Sequence, residues 1–214
     1  MSENIGQKKE RALKIIEIFH QIYADADCTL EYMSPLQLLI ATQLAAQCTD
    51  ARVNMVTPAL FKRYPTVHDF ACAYPEELSA FIRSTGFYRN KTKNIIACCQ
   101  KLISDFGGEV PKTMDELLTL PGVGRKTANL VLGDCFGVPG IVVDTHAGRL
   151  SRRMGFTKNT DPYKVELDLL KIIPPFEQSS FCHCLVYHGR EYCDARKPRC
   201  AECPVKDLCP QKIK

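Results

Sequence analysis

At 214 residues with 45% hydrophobic and 24% charged side chains, the chain has an ordinary globular composition and the length for one large domain or two small ones. Its net charge of +4 is compatible with a polyanionic partner but decides nothing alone. Met1-Ser2-Glu3-Asn4 leads straight into a charged segment, with no signal-like stretch and no apolar run of bilayer length. A cytosolic protein is expected, or a nuclear one in a eukaryote. Twelve cysteines in such a chain argue for a reducing compartment and against a disulfide framework.

Long amphipathic runs broken by Gly and Pro recur, and strand-type alternation is nearly absent, so the expected fold is all-α. A first helix spans about Lys8 to Tyr23, with Leu13, Ile16, Phe19 and Ile22 or Tyr23 on one face. Ser34-Pro35-Leu36-Gln37 reads as an N-cap, a first-turn proline and a capping-box glutamine. The segment it opens, Leu36 to Ala46, is apolar nearly all round and belongs in a core. Helices follow at about Asp50 to Arg63, Pro75 to Ser84 and Tyr88 to Phe106, with Pro58 a point of kinking or splitting in the first. Thr113-Met114-Asp115-Glu116 starts a short helix ending at Pro121, and the next runs from about Gly124 to Phe136. Asp144 caps a helix to about Met154, Asp161-Pro162 opens another that ends before Pro174, and a last one runs from Gln178 to His188 and stops at Gly189. No internal repeat or low-complexity linker separates them, so two domains would have to pack closely.

The sharpest local signal is Leu120-Pro121-Gly122-Val123-Gly124-Arg125-Lys126-Thr127-Ala128, a helix-hairpin-helix pattern. A glycine at each end of the Gly122-Val123-Gly124 turn lets the backbone fold tightly and present N–H groups where a helix begins. Those groups, with Arg125 and Thr127, suit a DNA phosphate read without any base contact, although Gly-x-Gly alone fits an ordinary corner equally well. Lys126 lies near a helix N-terminus beside Arg125, where the dipole and like charge favour its neutral, nucleophilic form. It reads either as that nucleophile or as a phosphate contact. Asp144, eighteen residues on within Val143-Asp144-Thr145-His146, reads as an N-cap or as a carboxylate partner, and His146 as a packing or phosphate-contact residue.

Cys193, Cys200, Cys203 and Cys209 form the pattern C-x6-C-x2-C-x5-C, which in a reducing compartment is a metal site. Both a [4Fe-4S] cluster and a tetrahedral zinc use four cysteines; the wide outer spacings favour the cluster. Within the loop, Arg196, Lys197 and Arg199 present three cations in four residues, a phosphate-contacting set or a solvated charge run. The other eight cysteines are expected to be small buried hydrophobes.

Together, Ala46-Gln47-Cys48-Thr49-Asp50, Leu120 to Ala128, Val143 to His146, His188-Gly189-Arg190 and the four spaced cysteines resemble the endonuclease III family of helix-hairpin-helix DNA glycosylases over almost the whole chain. The resemblance implies an all-α fold of two closely packed domains. One is a six-helix domain over residues 28–138 holding the hairpin; the other joins residues 1–27 to 139–214 and carries a [4Fe-4S] cluster. It further implies a bifunctional DNA glycosylase and abasic-site lyase of base excision repair, acting as a monomer on duplex DNA with damaged bases, oxidised pyrimidines in particular, in the cytoplasm and at the nucleoid of a bacterium. Lys126 and Asp144 become the catalytic pair, from opposite walls of a DNA cleft. Gln47 fills the gap left by the flipped base, Phe87 takes the position of a wedge that is commonly leucine, and Asp50 lies in the same DNA-binding set. The usual serine before Ala46-Gln47 is Ala45 here. A monofunctional mismatch glycosylase would generally lack Lys126, and a non-catalytic DNA-binding protein would not need Lys126 and Asp144 together.

Overall fold

The computed structural model describes residues 3–212. It contains eleven α-helices and no strand among these residues, and none of its helices is long and apolar enough to cross a membrane. The chain divides into two compact units, one from Cys28 to Gly137 and the other comprising residues up to Asp27 together with those from Val138 onward.

The first unit is built around α2 (Pro35–Leu44), whose residues Leu38 to Leu44 are all buried. A helix with no polar face must be covered on every side, and α3 (Asp50–Arg63), α6 (Tyr88–Phe106) and α8 (Arg125–Phe136) pack on it. The short α4 (Val67–Ala71) lies on α6, as does α5 (Pro75–Ile82), and α7 (Met114–Leu118) packs on α8. Leu38, Leu39, Leu44, Leu60, Phe70, Leu78, Ile82, Ile95, Leu102 and Val131 join one buried cluster, each side chain contributing about 1.5–3 kcal/mol. Ser34 caps α2 by accepting from the Gln37 amide at 3.3 Å. The Gln37 side chain reaches past the cap residue and accepts from the Met33 amide instead, so the expected reciprocal box is not closed. Pro58 stays inside a continuous α3, on its exposed face, where water can satisfy the carbonyl it leaves without a donor.

The second unit holds α1 (Ile5–Ile22), α9 (Thr145–Arg153), α10 (Pro162–Leu170) and α11 (Gln178–Glu191). α1 begins earlier than its apolar pattern suggests, because Asn4 and Gln7 form a reciprocal capping box. Its buried stripe is Ala12, Ile15, Ile16 and Phe19, while Ile22 is exposed. Phe19 stacks on Phe181 at 6.2 Å, tying α1 to α11. Arg11 joins this helix to the C-terminal segment: it pairs with Glu3, lies over the Phe156 ring and donates to the Met154 and Leu208 carbonyls. α11 does not stop at Gly189 but continues to Glu191. Gly189 serves close packing instead, since a Cβ there would stand 2.3 Å from His146 Nδ1 and 2.9 Å from Arg149 Nη2. Of the eight scattered cysteines, Cys98, Cys99, Cys182 and Cys184 are buried, Cys28, Cys48 and Cys135 are partly buried, and Cys72 is exposed.

The two glycines of the hairpin are not equivalent. Gly122 has φ +76, and a Cβ there would meet Gln43 Oε1 at 2.7 Å and Asn94 Cβ at 2.9 Å, so this position is closed to side chains on two counts. Gly124, the N-cap of α8, has φ −107 and open space where a Cβ would stand. Gly122→Ala is expected to lower stability by more than about 1 kcal/mol, whereas Gly124→Ala loses only a modest cap preference, under about 1 kcal/mol; thermal melting of both tests the order. Leu39→Ala, at a position with no exposure, is expected to cost about 2–5 kcal/mol, seen as a lower urea midpoint at unchanged slope.

Candidate functional site

The hairpin is carried by the first unit. Its turn follows Leu120, which is buried with Val123 and Leu117 against α8 residues Ala128, Val131 and Leu132. This apolar seam holds the turn while its polar edge stays outside: Gly122, Gly124 and Lys126 are exposed, and Arg125 and Thr127 are partly so. α8 begins with no side-chain cap, so its first-turn amides take no cap bond from the N-cap side chain, which suits an approaching anion. Lys126 is the second residue of this helix.

Beside the hairpin, still within the first unit, Gly122, Gln47 and Phe87 border one depression, together with Lys91 and Asn94. Gln47 and Phe87 have φ +54 and +46. For residues other than glycine this left-handed backbone costs about 1–2 kcal/mol each. Both side chains are nevertheless exposed, Phe87 by 64%, so the strain is not compensated by their own burial. Lys91 lies beneath them, only 6% exposed, and its Nζ donates to the Leu44 carbonyl at 2.7 Å and the Thr85 carbonyl at 2.8 Å. Burial holds its amine below the usual lysine range. Asp50 is drawn into the fold, accepting from the Thr29 hydroxyl at 2.5 Å at the first turn of α3.

In the second unit, Asp144 caps α9, its Oδ1 accepting from the Ala147 amide at 2.7 Å. The side chain is therefore held by a backbone bond, with its residue partly exposed. His146 is packed inward against Gly189 and lies 3.1 Å from Arg149 Nη2, a placement that makes it a structural neighbour of the cysteine loop.

Cys193, Cys200, Cys203 and Cys209 line one cavity, together with His188 and Arg153. Four thiols bordering one cavity are the donor set that a [4Fe-4S] cluster takes. Burial, and after it the repulsion of the neighbouring sulfurs, pushes the Cys203 and Cys209 thiols up. Polar groups lie against three of the sulfurs: Arg153 Nη1 donates to Cys193 Sγ at 3.3 Å and the Gln211 amide to Cys209 Sγ at 3.4 Å, while His188 Nε2 lies 3.4 Å from Cys203 Sγ. Burial pushes His188 down to about 4, so it is neutral at pH 7, with Tyr23 Oη 3.2 Å from its Nδ1. Arg149 and Arg153 both donate to the Cys193 carbonyl, and Arg153 also to those of Asp194 and Ala195. Arg196 and Lys197 are exposed, their amides donating to Asp194 Oδ1. Arg199 is turned back onto the Glu191 carbonyl and the Tyr192 ring. Arg153, Arg149 and Lys91 were not singled out by sequence; for Lys91 a signal existed, since it continues the apolar register of Ile95, Cys98 and Leu102.

The chain matches the HhH-GPD superfamily of base excision DNA repair proteins over residues 40–175 and the iron-sulfur binding domain of endonuclease III over residues 193–209. It is 53% identical to endonuclease III of Synechocystis sp. over 96% of this chain and 94% of that one, and 47% identical to endonuclease III of Bacillus subtilis over 88% and 86%. A solved structure of a trapped endonuclease III–DNA covalent intermediate superposes with a TM-score of 0.90 at 46% identity, covering 95% of this chain and 96% of that one. With a hairpin, an iron-sulfur domain and near full-length identity to these relatives, the chain belongs to the endonuclease III family within the HhH-GPD superfamily.

Proposed function

We propose that the chain is a bifunctional DNA glycosylase and abasic-site lyase that removes oxidised pyrimidines from duplex DNA, with Lys126 as nucleophile. The observation that carries this reading is an exposed lysine on the first turn of an uncapped helix, immediately after an open glycine turn. The open turn and the amides at the start of α8, which carry no side-chain cap, hold a DNA phosphate, aided by Gly122, Gly124, Arg125 and Thr127. The lysine beside them then meets the adjoining sugar. A structural relative has been caught covalently joined to DNA, and a lysine amine is the group in this hairpin able to form such a bond.

The damaged nucleotide is rotated out of the duplex, Gln47 fills the space it leaves, and Phe87 wedges the neighbouring stack. The Lys126 amine, in its neutral form, bonds to C1′, and the glycosidic electron pair leaves with the base. Asp144 stabilises the positive charge developing on the sugar and takes up or returns the proton moving between lysine and ring oxygen. The C1′–O4′ bond then opens, the ring oxygen leaving with the electron pair and taking the proton, which gives a Schiff base that acidifies the C2′ proton; its removal expels the 3′ oxygen with the C3′–O electron pair, cutting the strand 3′ to the lesion. Asp50 supports the DNA-binding surface of the first unit and His146 that of the second, and Arg196 and Lys197, with Arg199 behind them, meet phosphates along the duplex. Cys193, Cys200, Cys203 and Cys209 hold the [4Fe-4S] cluster. When bound, the cluster staples the loop that carries these cations, which fixes their spacing. The protein acts as a monomer, in the cytoplasm and at the nucleoid.

Borohydride trapping on duplexes with thymine glycol or an abasic site is expected to give a covalent adduct with the natural protein and none with Lys126→Gln; an adduct that survives this change would assign the nucleophile elsewhere. Asp144→Asn keeps an N-cap oxygen, so it should lower turnover by roughly 100-fold or more with duplex affinity and melting temperature nearly unchanged. Cys203→Ser is expected to lose cluster iron and sulfide and the associated visible absorption, together with duplex affinity.

A further inference from the structure

Gln47 and Phe87 follow two different helical segments. Gln47 lies three residues beyond Leu44, the last residue of α2, and Phe87 lies two beyond Thr85, the last residue of a 3-10 turn over Arg83–Thr85. The carbonyls at such ends lack intrahelical donors and carry the negative pole of the segment. The Lys91 ammonium bonds both of these carbonyls. Its own amide donates to the Phe87 carbonyl at 3.1 Å, opening the first turn of α6. One residue thus touches the chain just before Gln47, just before Phe87 and at Phe87 itself, at a position 6% exposed.

We propose that Lys91 is a positioning residue for lesion recognition: by bridging the ends of α2 and the 3-10 turn it fixes the separation and direction of Gln47 and Phe87, so that the two enter the duplex as one rigid pair. The proposal rests on the gap-filling and wedge roles given to those residues above. The 3-10 turn also packs on α3, and α2 on α6, but Lys91 ties both segment ends through hydrogen bonds from one buried side chain; side chains left loose there would have to be ordered each time DNA is engaged. A buried cation with two carbonyl partners removes that ordering step in advance.

The test uses the full-length, cluster-loaded protein as Lys91→Met, Lys91→Gln, Gln47→Ala, Phe87→Ala and the Gln47→Ala/Phe87→Ala pair with and without Lys91→Met. Single-turnover base excision is measured on a thymine glycol duplex. Insertion is followed separately by the fluorescence of 2-aminopurine opposite an abasic-site analogue, which rises when protein side chains disturb its stacking. Lys91→Met is expected to keep its helical circular dichroism and cluster absorption, to slow excision by roughly tenfold or more, as loss of charge-assisted hydrogen bonds implies, and to lower the fluorescence rise. Lys91→Gln, which retains a donor, should fall between it and the natural protein. In the pair background Lys91→Met should add nothing to either readout. Unchanged excision and fluorescence in Lys91→Met, alongside losses in Gln47→Ala and Phe87→Ala, would overturn the proposal, as would an undiminished effect in the pair background or a Lys91→Met protein without helical signal. If Gln47→Ala and Phe87→Ala themselves change nothing, the recognition roles of those residues fail, and the proposal with them.

Discussion

The first unit depends on the burial of α2 from Leu38 to Leu44. Seven consecutive residues without a solvent face can be stable only if their neighbours enclose them, and α3, α6 and α8 do so. The enclosure fixes more than a core. α8 carries the hairpin lysine, α6 carries Lys91 and begins at Phe87, and the end of α2 leads to Gln47. Packing around one apolar cylinder thereby sets where three otherwise unrelated polar elements emerge. Leu39 at its centre, with no exposure of its own, thus bears on the placement of surface residues that it does not touch.

Much of this was legible in sequence because it obeys local rules. The cap at Ser34, the apolar run behind it, the glycine turn and the Asp144 cap each announce themselves through residue type and spacing. What was missed has physical reasons. α4 is five residues long and opens on a Thr66–Asp69 capping box, too short for an apolar period to register. Gly189 reads as a helix stop because glycine usually is one, but it lies in continuous helix where His146 and Arg149 leave no room for a Cβ; such contacts join residues forty or more positions apart and leave no local trace. Gly124 reads as a conformational glycine but has ordinary φ, whereas Gly122 carries the whole steric demand of the turn. Lys91 shows the opposite failure: its place in the apolar register of α6 was visible, but lysine is so commonly exposed that the register was not followed through it.

The second unit shows how a short irregular loop is held with little apolar core of its own. Cys193 to Cys209 have scarcely any regular structure, and their backbone carbonyls are gathered by Arg149 and Arg153 from α9. α9 therefore has two ends with two tasks: its N-cap is Asp144, and its last turn grips the cysteine loop. Through this one helix the orientation of the carboxylate and the placement of the cationic loop share a rigid support.

The left-handed backbone at Gln47 and Phe87 bears on how this surface can change over time. Each position holds a side chain in a conformation that glycine would adopt at no steric cost, so the stability of the fold and the reach of these side chains oppose one another. Drift toward stability at either position favours losing the side chain. A side chain at either position therefore costs stability that glycine would not, and the core must keep a reserve of a few kcal/mol in hand to carry the strain. Substitutions deep in the first unit that erode this reserve draw on the same margin that carries the two strained surface turns.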